Sequence, residues 1–325
     1  MIFVIGGSGF IGTVLGEGLV KDGRTFRNID KQTSRVFNTL THIGDVRNPD
    51  EIRKYLFKDT ESDWVILLAA EHRDDVAPVS LYNEVNVKGT ENVLKLMEEK
   101  GINKIFFTSS VAIYGLNKDN PTEEYPADPF NHYGKSKWNA EEVLRQWYKK
   151  DPENRTLVIL RPTVVFGPGN KGNVYNLLKQ IASGKFLMIG KGENKKSMAY
   201  VENVAGFIRY CIDLKMSGYH VFNYADKPDL SMNELVEVAE QSLNKKLPSI
   251  RIPYWMGYMS GIGFDILAKI SGKKLPISAV RVKKFCATTQ FENIAIIKSG
   301  YKPAYTLAQG LANTLAAITA EVGAK

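Results

Sequence analysis

The stretch Ile2-Phe3-Val4-Ile5-Gly6-Gly7-Ser8-Gly9-Phe10-Ile11-Gly12 decides how the rest of the chain is read. It is a buried-strand pattern that runs into a glycine turn and then a helix, from about Phe10 to Lys21. Gly6, Gly9 and Gly12 allow a tight turn, close approach of backbone to a pyrophosphate and close packing of helix on strand, with the helix N-terminus facing the phosphates. A glycine triplet alone equally fits an ordinary tight βα turn, so the surroundings have to decide. A second short strand, Phe26 to Ile29, ends in Asp30, at the distance where an acid accepts hydrogen bonds from the adenosine ribose hydroxyls. An acid there favours NAD over NADP.

Further out, Trp64-Val65-Ile66-Leu67-Leu68-Ala69-Ala70 reads as a fully buried parallel strand. A long helix follows at about Ser80 to Lys100, then a strand from Lys104 to Thr108. This alternation predicts an α/β fold, a doubly wound parallel sheet of the Rossmann type. The sheet domain is expected over residues 1–168, with later strands and helices returning to it. A smaller, mostly helical substrate domain is expected over 169–325. Gly44-Asp45-Val46 follows a third strand and has two readings of equal weight: an adenine contact, or Asp45 as a helix cap before Pro49.

A chain of 325 residues with 44% hydrophobic content fills a substantial core. Met1 leads directly into the apolar run, so no secretory signal is expected. Cys211 and Cys286 lie far apart without metal-ligand spacing, so reduced thiols and no metal site are expected. The longest apolar stretches are broken by glycine or charge before the roughly 20 residues that a spanning helix needs. A formal charge of +8 suits an anionic partner. No nucleic-acid motif accompanies the charge, so that class ranks last.

The chemistry is expected on three residues. Tyr133 and Lys137 are four apart in His132-Tyr133-Gly134-Lys135-Ser136-Lys137, so on a helix they share one face. A neighbouring ammonium lowers the phenol's pKa from its reference of about 10 and makes it a usable general base. Ser110, just past the strand that ends in Phe107-Thr108, is placed to share the proton of a substrate hydroxyl.

At this point the sequence resembles the extended short-chain dehydrogenases, the NAD-dependent epimerase/dehydratases. The resemblance covers nearly the whole chain: the opening glycine turn, Asn86-Val87-Lys88-Gly89-Thr90, Tyr133 with Lys137, Leu160-Arg161-Pro162 through Gly167-Pro168-Gly169, Tyr200-Val201-Glu202-Asn203-Val204-Ala205, and Ser299-Gly300-Tyr301-Lys302-Pro303. It implies NAD as cofactor and Tyr133, Lys137 and Ser110 as the catalytic set, with Lys137 also gripping the nicotinamide ribose. Gly6, Gly9, Phe10, Ile11, Gly12, Asp30, Asp45, Val46, Ala69, Ala70 and Asn86 complete the expected cofactor contacts. It also implies a homodimer through the helices near residues 80–100 and 132–150.

The reaction follows from what is missing. Dehydratases of the family carry Asp-Glu after the strand-end hydroxyl residue, whereas Ser110 and Val111 stand here. Elimination therefore lacks its acid and base. A 4-epimerase, an isomerase, needs neither, because its 4-keto intermediate only turns over and is reduced on the other face. For the substrate diphosphate the resemblance implies Asn173 at a helix start, Lys196 where a relative has arginine, and Arg281. Lys196 replaces a bidentate fork with a point charge. Val164 stands where the family has a further asparagine, and Thr289 falls where bulkier residues narrow the sugar pocket of glucose-only epimerases. Lys196 and Arg281 read equally well as solvated surface charges.

Several segments, among them Glu71-His72-Arg73-Asp74-Asp75-Val76 and Arg281 to Phe291, are similar to bacterial epimerases that act on N-acetylglucosamine carried by polyprenyl (undecaprenyl) diphosphate in O-antigen and lipopolysaccharide synthesis. A soluble nucleotide-linked sugar, such as UDP-N-acetylglucosamine, is the alternative. The choice bears on Ile252-Pro253-Tyr254-Trp255-Met256-Gly257-Tyr258-Met259, which continues with few charges to Lys273, Lys274 and Pro276. One reading is a core helix pair closing the substrate domain. The other is an apolar surface, flanked by Lys269, Lys273, Lys274, Arg281, Lys283 and Lys284, that docks at the cytoplasmic face of the plasma membrane. The resemblance favours docking.

Overall fold

The apolar runs lie side by side in one parallel sheet. A computed structural model describes residues 1–73, 76–247, 250–272 and 278–323. Its strands are β1 (Ile2–Ile5), β2 (Phe26–Asp30), β3 (Thr41–Ile43), β4 (Trp64–Leu67), β5 (Lys104–Thr108), β6 (Thr156–Pro162) and β7 (Gly218–Tyr224). They are ordered β7-β6-β5-β4-β1-β2-β3. Every neighbouring pair is parallel, with Ile2 opposite both Phe26 and Trp64 and Val65 opposite Ile105. Helices cover such a sheet on both faces, which is why β1, β4 and β6 are buried along their whole length. The strand order reverses at β1, and a crevice opens at the carboxyl ends of strands on either side of such a switch point.

The chain divides into two units. The first takes Met1–Val165, Val201–Ala225 and Phe291–Ala304. In it α1 (Phe10–Lys21) packs on the helix Val201–Asp213, fastened by Arg209 to Asp22 at 2.6 Å. On the sheet, α2 (Gly89–Lys100) and α3 (His132–Lys149) bury Val93, Leu96, Met97, Ala140, Leu144 and Trp147 in one cluster with Phe3, Val65, Phe107 and Leu157.

Two expectations need correction here. The strand expected over Trp64–Ala70 stops at Leu67, because the N–H groups of Leu68 and Ala69 both turn to the carbonyl of Ile5, at 2.8 and 2.9 Å. The helix expected over Ser80–Lys100 is α-helical at Ser80–Tyr82, π-helical over Asn83–Lys88 and α-helical again in α2. The wider turn lets both Val85 and Asn86 point inward.

The second unit takes Phe166–Tyr200, Asp226–Gln290 and Tyr305–Lys325. It packs α4 (Asn173–Ala182), α5 (Met232–Leu243) and α8 (Leu307–Gly323) together. α5 starts with a capping box between Ser231 and Glu234. α8 buries Leu307, Leu311, Leu315 and Ile318, the spacing of one apolar stripe.

Between α5 and α8 in the chain, α6 (Tyr254–Ser271) packs on α7 (Ala279–Cys286). A Cβ at Gly261 would stand 2.6 Å from Ala279 N, and Asp265 Oδ2 accepts from that same N–H at 3.0 Å. Only Gly257 and Gly261 of α6 are buried, while Trp255 is 66%, Met259 59%, Ile266 55% and Ile270 78% exposed. The core reading of this stretch is therefore corrected: most of its apolar side chains face outward, with Tyr258, Ile262 and Phe264 half-buried. Lys273, Lys274 and Pro276, like Asp74 and Asp75, lie outside the described residues.

Candidate active site

The crevice begins at β1. Gly6 takes a positive φ of +88°, and a Cβ on it would stand 2.4 Å from Ala69 N, so only glycine lets β1 turn this close to the end of β4. Gly9 is the N-cap of α1 and brings no side-chain acceptor to its first turn. Phe10 and Ile11 open that helix, and Gly12 packs against Gly7. The N-terminus of α1 thus offers N–H groups and the positive end of its dipole to an anion.

Asp30 ends β2 and is 7% exposed. Its Oδ2 accepts from Ser8 N at 2.9 Å and its Oδ1 from Gln32 N at 3.0 Å. Burial pushes its carboxyl above the ordinary range despite these bonds. Donated bonds from ribose hydroxyls would offset that cost.

Asp45 follows β3 and folds back on Arg47, whose Nη2 reaches Oδ2 at 2.7 Å, which holds the carboxyl below its ordinary range. The cap position before Pro49 is taken by Asn48, not Asp45. The side chain of Val46 lies in the core, and its main-chain oxygen accepts from Asn92 Nδ2 at 2.9 Å. Ala69 and Ala70 are half-buried just past β4. Asn86 spends its amide on protein: Oδ1 accepts from Glu71 N at 2.8 Å, and Nδ2 donates to Glu71 O at 2.9 Å and Ser136 Oγ at 2.8 Å. It clamps the loop after β4 to α3.

α3 carries the candidate base. Asn131 caps it by accepting from Gly134 N at 2.8 Å. A Cβ at Gly134 would stand 2.6 Å from Ala112 O, so glycine lets this first turn close on the 3₁₀ turn Val111–Tyr114. That turn is capped by Ser110, whose Oγ accepts from Ala112 N at 3.1 Å. Tyr133 and Ser110, both half-buried, are thereby fixed on two abutting segments.

Lys137, one turn after Tyr133, is 2% exposed. Its Nζ donates to Thr108 O at 2.7 Å and lies 4.6 Å from the centre of the Phe107 ring. Burial pushes this ammonium down to about 7, with the charge of Glu141 opposing the fall.

These residues fit a dinucleotide. The glycine cradle would be filled by side chains at Gly6 or Gly12, an acid ends β2, and the buried hydroxyls of Thr108 and Ser109 at the end of β5 have no hydrogen-bond partner among the described residues. Unpartnered buried polar groups at a crevice are what a bound molecule completes.

The candidate substrate residues belong to the second unit. Asn173 is the exposed first residue of α4. Lys196 is half-buried and not a solvated surface charge: its Nζ donates to Lys284 O at 2.8 Å and Thr289 Oγ1 at 3.3 Å, and burial lowers its pKa. Arg281 is exposed on α7, one turn before Lys284.

Sequence reasoning missed Glu141 and gave Arg161 no role, although both are buried and bonded to each other. The signal for Glu141 was its place four residues after Lys137.

Among known proteins, the chain is 58% identical over 314 residues to the N-acetyl-alpha-D-glucosaminyl-diphospho-ditrans,octacis-undecaprenol 4-epimerase of Escherichia coli O157:H7, covering 97% of this chain and 94% of that one. It is 29% identical to the UDP-glucose 4-epimerase of Vibrio cholerae, covering 96% and 94%. Its fold is that of the Thermus thermophilus UDP-glucose 4-epimerase solved with NAD, with a TM-score of 0.73 and 19% identity over 98% of both chains. The model of one family matches residues 2–225, and by that match this chain belongs to the NAD dependent epimerase/dehydratase family.

Proposed function

We propose that the chain is an NAD-dependent 4-epimerase that interconverts N-acetylglucosamine and N-acetylgalactosamine on a polyprenyl diphosphate carrier. The observation that carries the reaction class is the Tyr133–Lys137 pair on the opening turns of α3, packed against a Ser110 turn that holds no carboxylate. NAD, when bound along the crevice from Gly6 to Thr108, supplies the acceptor that oxidises the sugar at C4 and the donor that reduces it again. Tyr133 removes the proton from the 4-hydroxyl and later returns it, and Ser110 holds the same oxygen by a hydrogen bond. Lys137 lends its charge to the phenolate and fixes its place through Thr108. Val111 beside Ser110 offers neither acid nor base, so ring hydrogens at C3 and C5 stay untouched.

The carrier is argued from the undecaprenol-linked relative and from α6. A lipid diphosphate holds its sugar at a bilayer surface, and α6 with Lys269, Arg281, Lys283 and Lys284 has the apolar and basic character to rest there. Among the described residues no helix is long and apolar enough to cross a membrane, so the contact would be peripheral. Asn173, Lys196 and Arg281 are the proposed diphosphate contacts, within a largely substrate-binding later half of the chain. A homodimer through α2 and α3 rests on the family resemblance.

The reaction class is tested by epimerisation of polyprenyl-diphospho-N-acetylglucosamine in D₂O, with Tyr133→Phe as control. The expected product carries no solvent deuterium on carbon, and the variant loses about 10²–10⁴-fold in rate. Deuterium at C3 or C5 would mean ring-proton abstraction and contradict the reading.

A further inference from the structure

Behind the Tyr133–Lys137 pair lies a buried charge cluster that the chemistry above does not use. Glu141 follows Lys137 by four residues on α3, which sets the two side chains on one face a turn apart, and Glu141 is fully buried. Arg161 of β6 grips its carboxylate as a fork, Nε to Oε1 at 3.0 Å and Nη2 to Oε2 at 2.7 Å. Arg145, one turn further along α3, also donates to Oε2. Arg161 is held in turn by Tyr114 Oη at 2.7 Å and the main-chain oxygen of Glu123 at 2.9 Å.

Lys137 itself touches the Thr108 carbonyl and the Phe107 ring of β5, and the Arg161 cation of β6 reaches it through Glu141. α3 carries Tyr133 one turn before Lys137 and Glu141 one turn after it, and the Tyr114 phenol and Arg145 join through Arg161 and Glu141 respectively. Neither nearby carboxylate competes. Glu123 turns its Oε1 to the N–H groups of Asn223 and Ala295, and Glu142 pairs with Arg145 on the exposed side. Glu141 is thus the one of these carboxylates whose field opposes the desolvation of Lys137.

We propose that Glu141 is a positioning residue for the proposed base: locked by the Arg161 fork, it sets the pH at which the Tyr133–Lys137 pair gives up its first proton. The inference rests on the reading of that pair as the proton acceptor. The two groups titrate as a unit, so the proton that leaves first belongs to the pair, whichever atom keeps the second. The one-proton form accepts the substrate's proton, and activity should rise with pH through the neutral range. Removing a nearby negative charge weakens the pair's hold on its proton and moves that limb down.

The test is the pH dependence of kcat/KM on polyprenyl-diphospho-N-acetylglucosamine for full-length wild type, Glu141→Gln, Arg145→Gln and Tyr133→Phe. Glu141→Gln is expected to shift the acid limb down by about one pH unit. Arg145→Gln removes a cation from the same carboxylate at a partly exposed site, so it stays informative if the first variant folds poorly, and its limb should shift up. A purely structural Glu141 would lower rate and stability equally at every pH. Tyr133-dependent activity with unmoved limbs in the variants that fold would overturn this inference alone. Full activity in Tyr133→Phe would overturn the base reading and this inference with it.

Discussion

Lys137 shows at the residue scale how far function and stability pull apart. An ammonium whose pKa falls from 10.5 to about 7 on folding binds fewer protons folded than unfolded across that window. Its burial therefore costs stability, in full at and below about pH 7 and fading as pH rises towards 10.5. Lys137→Met should abolish activity yet gain stability over wild type as pH drops from 10 to 7, measured as the difference in urea midpoints; an advantage that instead grew with pH would contradict the assignment.

The spacing of Tyr133 and Lys137 was legible because four residues on a helix mean one face, and Ser110 because it follows a strand end. Asn86 was expected at the cofactor, but its side chain is spent on Glu71 and Ser136, fifteen and fifty residues away. The role of Arg161 depends likewise on a partner twenty residues upstream in sequence. Such pairings exist only after folding.

At the scale of elements, the abutment of α3 on the Ser110 turn is the sensitive joint. Gly134→Ala puts a methyl against the Ala112 carbonyl, where backbone rather than a flexible side chain must yield. Overpacking of this kind costs about 1–3 kcal/mol, and here it should lower kcat as well, because it separates Tyr133 from Ser110. Thermal unfolding and steady-state kinetics on the same sample check both; a stability loss with unchanged kcat would show that the abutment does not position the pair.

α6 yields the other prediction at this scale. Trp255→Glu combined with Ile270→Glu alters two exposed residues and should leave the fold intact while abolishing co-sedimentation with anionic phospholipid vesicles. Equal binding of the double variant would remove α6 as the docking surface. The strand runs were legible from apolar runs, as was α1 from the turn before it. The π-helical segment was not, since one extra residue per turn leaves no trace in a 3.6-residue pattern. Nor does an apolar sequence say whether α6 faces core or solvent; only the two buried glycines against Ile189 and Ala279 settle which side it shows.

For the whole molecule, the chain passes between its two units after Val165, Tyr200, Ala225, Gln290 and Ala304. Crossings of this kind carry no linker composition, so their positions could not be taken from the sequence. The net charge of +8 was legible, and its meaning depends on where an anionic surface is met. Basic residues near a bilayer contribute about 1 kcal/mol each, so vesicle binding should weaken steeply with added salt.

The central claim is that a lipid carrier presents the sugar. It is tested most directly by giving the purified protein polyprenyl-diphospho-N-acetylglucosamine and UDP-N-acetylglucosamine in parallel and identifying the released sugars. Formation of N-acetylgalactosamine from the lipid-linked substrate, with little or none from the UDP sugar, is the predicted result. Turnover of the UDP sugar alone would contradict it and make the chain a nucleotide-sugar epimerase.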